Sequence, residues 1–271
     1  MIPAPFEYQR VESVDQAIQV LSDEPEAKIL AGGHSLLPLM RVRLARPSFL
    51  VDISRIQDLK YVKDDGDQVA IGALTRHHDV ANSEVLHELC PIVAYAAGEI
   101  GDPQVRHVGT IGGSVAHADP ASDMPTVLLA LGAEMVVRGP DGNVRNVPAG
   151  DFFKGLFEPD LATNEVLTEI RVPRTADRGW SYLKFHRRAQ DWALVGVAAL
   201  ANASVGGLVP SAARCAAVAG SAPPASSSST PVARRGRSLM FVRATAGPAP
   251  FWASAATPTS AQSWARRWNF R

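Results

Sequence analysis

Apolar residues recur at three- to four-residue intervals from Val14 to Leu21, placing Val14, Ala17, Ile18 and Leu21 on one face, and the spacing predicts a helix over about 14–22. Ser13 stands before it with Gln16 three positions on, the pair that closes a capping box. The apolar run Ala27 to Ala31 reads as a buried strand that stops at Gly32-Gly33. Leu36, Leu37, Leu39 and Met40 after Ser35 predict a second helix, which must end before Arg46-Pro47 because the residue ahead of a proline avoids helical geometry. Phe49 to Ile53 is the next strand, so the first fifty residues predict helix, strand, glycine turn, helix, strand.

A different order follows. Val69 to Ala73 predicts a strand, 77–99 is helical in pattern, and Gly101 to Ser122 reads as a glycine-rich polar loop. Met124 to Leu131 is apolar enough for a buried helix. Glu134 to Arg138 and Val144 to Val147 flank an Asp-Gly pair at Asp141-Gly142, the signature of a hairpin, and Glu165 to Val172 is a strand ended by Pro173. The polar stretch 173–179 marks a boundary, after which Trp180 to Arg188 and Ala193 to Ala201 predict two more strands. The expected division is 1–55, 56–176 and 177–202, with 203–271 a tail whose Ala, Pro, Ser and Arg content carries no periodicity and predicts disorder.

Charge sharpens that last boundary. The whole chain balances 27 Lys and Arg against 27 Asp and Glu, which argues against a nucleic-acid or anionic-membrane partner. All the acids lie at or before Asp191, and from Trp192 to Arg271 there are eight arginines and no Asp, Glu or Lys. Such a composition is what an out-of-frame reading of a GC-rich gene produces, so the expectation is a small C-terminal domain truncated or frame-altered near 202–210, leaving Trp192, Leu194 and Val197 bare. Cys90 and Cys215 are too few for a disulfide framework, zinc site or iron-sulfur cluster, and His77, His78, His87 and His117 lack chelating spacing, so no metal site is expected. No apolar run reaches a membrane span and no leader is apparent, which makes the cytoplasm the expected location.

The chemistry sits at two glycine pairs. Ala31-Gly32-Gly33-His34-Ser35 follows a predicted strand, and Thr110-Ile111-Gly112-Gly113-Ser114 follows the polar loop. Glycine permits a positive φ and close backbone approach, so amides can converge on a phosphate with serine hydroxyls beside them, although either pair alone more often marks a plain turn. Neither Gly-x-Gly-x-x-Gly nor a P-loop string occurs. Two such loops in different subdomains call for a long ligand lying between them, a demand that flavin adenine dinucleotide (FAD) meets. Asp123 reads equally as the N-cap of the following helix, Lys184 with Arg187 and Asp191 as a solvated charge cluster, and Arg106 and His107 as partners of Asp102.

These strings, together with Gln104 to Val108 and Ala118-Asp119-Pro120-Ala121-Ser122-Asp123, stand in the order found in the FAD-binding medium subunits of molybdenum hydroxylases, which the chain resembles over about 1–202, and within them the carbon monoxide dehydrogenase type. The resemblance implies an α+β, PCMH-type FAD-binding fold of two mixed subdomains followed by the small C-terminal domain. It implies that Ala31, Gly32, Gly33, His34 and Ser35 wrap the FAD pyrophosphate from one side and Thr110, Ile111, Gly112, Gly113 and Ser114 from the other. By the same likeness Asp123 holds the sugar portion of the cofactor and Lys184 reaches the flavin side, while His107 and Ser114 stand where the family commonly has Asn. No catalytic base or nucleophile is implied. Partners would be a molybdopterin-binding large subunit and a [2Fe-2S] small subunit in a heterotrimer, with an external electron acceptor beyond them. A stand-alone FAD-dependent oxidoreductase and a cofactor-free remnant are the alternatives.

Overall fold

The structure, a computed structural model, describes residues 2–188, 190–202 and 213–219. Among the described residues the strands form three sheets of three to five strands and one two-stranded hairpin.

The first is parallel, in the order β1-β3-β2, built from β1 (Glu7–Arg10), β2 (Lys28–Leu30) and β3 (Phe49–Asp52). Helix α1 (Val14–Asp23) buries Val14, Ala17, Ile18 and Leu21, the face its spacing predicts, and Ser13 caps it by accepting from the Gln16 N–H. Two features differ from expectation. β2 is an edge strand, with Lys28 exposed and Ile29 and Leu30 half-buried, so its apolar run does not mean full burial. β1 is a strand with all four residues exposed, which has no apolar alternation to betray it. Between β2 and β3 lies α2 (Leu36–Arg41).

The second sheet is antiparallel throughout, in the order β4-β5-β10-β6-β7, from β4 (Val62–Asp65), β5 (Gln68–Gly72), β6 (Glu134–Arg138), β7 (Val144–Pro148) and β10 (Val166–Pro173). The helices α3 (His77–Ala81), α4 (Glu84–Leu89), α5 (Pro91–Gly98), α6 (Pro103–Val108), α7 (Ile111–His117) and α8 (Asp123–Leu131) fill the crossover from β5 to β6. α8 buries all but one of its nine residues, as its uninterrupted apolar content predicts. A short turn of helix, α9 (Ala149–Phe152), and a small hairpin of β8 (Phe153–Gly155) and β9 (Glu158–Pro159) precede β10.

The segment 101–122, expected as a loop, is instead the helix pair α6 and α7. Asp102 accepts the Val105 N–H at 2.8 Å ahead of Pro103, and Thr110 accepts the Gly113 N–H at 3.2 Å. Two N-caps therefore start these helices, which the glycines flanking α6 at 101 and 109 and those inside α7 at 112 and 113 hide.

The third sheet is β11 (Arg178–Phe185), β12 (Val195–Asn202) and β13 (Ala213–Ala219), antiparallel with β12 in the middle. β13 corrects the expectation of an unstructured 203–271 over residues 213–219, and the rest of that segment lies outside the described residues. Tyr182, Ala198 and Leu200 complete the hydrophobic core of the second sheet and its helices. Trp192 is 57% exposed as anticipated, whereas Leu194 and Val197 are half-buried. No helix among the described residues is long and apolar enough to cross a membrane.

Candidate functional site

Gly33 sits at φ 74°, and a side chain there would also press on Leu37 and Leu30, so the turn after β2 requires glycine on both counts. Gly32 is constrained by distance: a Cβ would stand 2.4 Å from the Val108 carbonyl oxygen and 2.8 Å from the Gly109 Cα. The first glycine loop thus lies directly on the joint between α6 and α7, and the two motifs, some eighty residues apart, meet. Across the same contact Ala31 comes within 3.8 Å of where a Gly113 Cβ would be.

The two loops spend their amides differently. In the second, Ile111 N–H donates to the Thr75 carbonyl at 3.0 Å and Gly112 N–H to the Ala73 carbonyl at 2.9 Å, while Gly113 and Ser114 donate to the Thr110 side chain and carbonyl. Those bonds tie α7 to the end of β5 and leave none of the four amides for a ligand. In the first loop the amides of Gly32, Gly33, His34 and Ser35 have no hydrogen-bond partner among the described residues. Successive unpaired amides beside a left-handed glycine are the kind of backbone that can form an anion-binding concavity.

Both loops face one cleft of about 1100 Å³. That exceeds the roughly 300–1,000 Å³ of a site for an ordinary small ligand and suits a dinucleotide. Ala31, Gly32, Gly33, His34, Ser35, Thr110, Gly112, Gly113, Ser114, Asp123 and Lys184 all border it. Ile111 does not, because its side chain is wholly buried in the core.

Asp123 and Lys184 come together at the far wall. Lys184 Nζ donates to Asp123 Oδ2 at 3.0 Å and to the Glu99 carbonyl at 3.0 Å, and Tyr182 OH donates to Asp123 Oδ1 at 2.5 Å. Burial pushes the Asp123 carboxyl up from its ordinary range, against the pull of Lys184 and Tyr182, and burial likewise pushes the Tyr182 phenol up. The solvated-cluster reading of Lys184 is therefore wrong: it is half of a buried ion pair. The N-cap of α8 is Ser122, and Asp123 is its first helical residue with the carboxylate turned toward β11. Arg106 does not pair with Asp102; it donates to the Ile100 and Gly101 carbonyls at 2.9 and 3.2 Å, and His107 stacks on His78 at 3.9 Å.

Sequence reasoning missed two parts of the wall. The turn between β8 and β9 brings Phe157, at φ 57°, onto His117 with ring centroids 5.0 Å apart, and burial lowers the His117 pKa. His77 borders the cleft from the start of α3, 4% exposed. A histidine in a helical stretch and a phenylalanine in a short turn give no local signal; only the fold places them. Among the described residues no group of three His, Cys, Asp or Glu side chains could hold a metal ion.

The family described as the FAD binding domain in molybdopterin dehydrogenase matches residues 4–175. The chain is 45% identical over 206 residues to the carbon monoxide dehydrogenase medium chain of Hydrogenophaga pseudoflava, covering 75% of this chain and 71% of that one. It is 43% identical over 198 residues to the glyceraldehyde dehydrogenase medium chain of Sulfolobus acidocaldarius, covering 73% and 70%. Among solved structures, the carbon monoxide dehydrogenase of Hydrogenophaga pseudoflava superposes with a TM-score of 0.77 at 45% identity, over 80% of this chain and 75% of that one.

Proposed function

The chain belongs to the FAD-binding domains of molybdopterin dehydrogenases, and from that premise we propose that it is the electron-transfer subunit of a molybdenum hydroxylase, holding FAD in the cleft between its glycine loops. The observation that carries this reading is the row of unpaired amides at Gly32–Ser35 facing the cleft where the second glycine segment meets the first. FAD, when bound, supplies an electron store that accepts from iron-sulfur clusters of a small partner subunit and delivers to an external acceptor.

The chain's own residues bind, orient and tune. The amides of Gly32, Gly33, His34 and Ser35 would donate to the pyrophosphate, with the Ser35 hydroxyl beside them. Thr110, Gly112, Gly113 and Ser114 shape the opposite wall, with α7 pinned so that the wall does not shift. Asp123, held by Lys184 and Tyr182, would bond the sugar portion of the cofactor, with Lys184 toward the flavin side. Substrate is oxidised on a molybdopterin-binding large subunit, not here. Relatives of nearly equal identity are named for carbon monoxide and for glyceraldehyde, so selectivity for substrate lies outside this chain.

The test is the visible spectrum of the purified chain with and without added FAD, beside a Gly33→Val/Gly113→Val variant whose far-ultraviolet circular dichroism matches the parent. Flavin bands in the parent and none in the variant are expected. A parent that stays colourless with FAD supplied would overturn the cofactor assignment.

A further inference from the structure

Phe157, in the turn between β8 and β9, is held at φ 57°, a left-handed backbone that bulky residues rarely adopt. What this conformation presents is an aromatic ring in the open: Phe157 is 49% exposed and borders the cleft. The turn is fixed from behind, because Phe157 N–H donates to the Ala118 carbonyl at 3.2 Å. The ring leans on His117 at an interplanar angle of 45°, so the imidazole supports it without covering it. A bulky residue kept in a costly conformation yet left half outside the core points to a ligand that uses it.

The chemistry of this wall says which part of a dinucleotide it suits. Phe157, Pro159, Leu161, Ala162 and Thr163, the side chains that the turn and its continuation bring to the cleft, carry no charge. Burial lowers the His117 pKa, which keeps the supporting imidazole neutral at pH 7. Asp119, which also borders the cleft, accepts the Ala121 N–H on Oδ1 at 2.8 Å and leaves Oδ2 without a partner among the described residues, an acceptor for a hydroxyl or amino group. The end at Lys184 differs in character, with Gln190 and Asp191 beside it. The two ends are also tied to different parts of the fold. Lys184 reaches Glu99 and Asp123, whereas the turn at Phe157 is bonded to Ala118 and leads to Val166, a member of the core shared by α1 and β3. An uncharged aromatic face is what a purine stacks on.

We propose that the turn at Phe157 is the adenosine subsite of the cleft: the adenine ring of the dinucleotide stacks on Phe157, which His117 backs, while the flavin lies toward Lys184. The inference rests on the FAD reading given above and adds which half of the cofactor each end of the cleft takes.

The experiment measures binding of FAD to the flavin-free full chain, and of ADP and FMN, its two halves, by competition with FAD. Wild type, Phe157→Leu and Phe157→Tyr are compared, with the thermal midpoint of each flavin-free protein alongside. Leucine keeps an apolar side chain on the same backbone but has no flat face, so Kd for FAD and ADP weakens about tenfold while FMN is unchanged. Tyrosine keeps the face and returns Kd to within about threefold of wild type. Unchanged binding of FAD and ADP in Phe157→Leu would overturn the proposal, as would failure of ADP to compete with FAD on the wild type. Weakened FMN with unchanged ADP overturns it too, because the ring would then carry the flavin. So does weaker binding of all three ligands together with a lowered midpoint, which marks Phe157 as a packing residue. A wild-type chain that takes up no FAD removes the cofactor reading and the subsite together, an outcome distinct from a wild type that binds FAD and a leucine variant that binds it equally well.

Discussion

A carboxylate only 4% exposed persists inside a protein because donors reach it, and Asp123 is reached by Tyr182 and Lys184, 59 and 61 positions further along the chain. Removing one member of such a pair leaves an uncompensated buried charge, at a cost of about 3–5 kcal/mol. Lys184→Met is therefore expected to lower stability by about that amount in urea titration, and adding Asp123→Asn to recover most of the loss, because the amide still accepts from Tyr182 and carries no charge. Equal loss in the double variant would show that the pair's packing, not its charge, holds the site. Both residues could be picked out in the sequence through family likeness alone. Their pairing could not, since nothing local to Asp123 or Lys184 reports a neighbour sixty residues away.

At the scale of elements, legibility follows the period of the pattern. α1 and α8 are predicted where they stand because burial imposes a periodic or continuous apolar run, while β1, exposed at every position, has none. The helices α6 and α7 are hidden by Gly109, which lies between them against Gly32, and by Gly112, which packs on Ala73, so the caps at Asp102 and Thr110 and the proline after Asp102 are the local evidence for them. Replacing either cap with alanine is expected to cost about 1 kcal/mol, read by chemical denaturation, and Thr110→Ala to weaken FAD binding as well because α7 forms the cleft wall. A second link joins β7 to the approach to β10: Arg145 donates to Glu165 at 2.7 and 2.8 Å and to Asp160 at 2.7 Å. Hydrogen bonding from Arg145 holds the Glu165 carboxyl below its usual range, against the effect of burial. A carboxylate with a lowered folded-state pKa adds stability above its unfolded pKa, and that stability is lost as pH falls through the folded value. Thermal midpoints of Arg145→Gln should therefore lie below wild type at pH 7 and converge with it on acidification below the normal glutamate range; a constant gap down to pH 2 would sink this account.

On the scale of the whole molecule, the cleft is a composite of all three sheets' surroundings: the loop after β2, the helices between β5 and β6, and Lys184 on β11. A ligand bound across all of them stabilises them together, by about 2.7 kcal/mol at a hundredfold excess over Kd. Thermal melts with rising FAD should accordingly shift as one transition; a transition that splits, with one part indifferent to FAD, would mean that the ligand contacts only part of the cleft. From the sequence, the strands after residue 179 are expected to lack part of their partner surface. In fact β11 and β12 donate Tyr182, Ala198 and Leu200 to the core that α8 and the second sheet began. The order of synthesis gives this dependence a temporal meaning. A ribosome that has delivered the second sheet and all its helices has made every glycine of the two glycine loops, but Asp123 then waits for Tyr182 and Lys184. On the proposed reading, a nascent chain would complete its FAD cleft only once β11 has emerged, and a pause in translation just before residue 178 would leave Asp123 without its two donors.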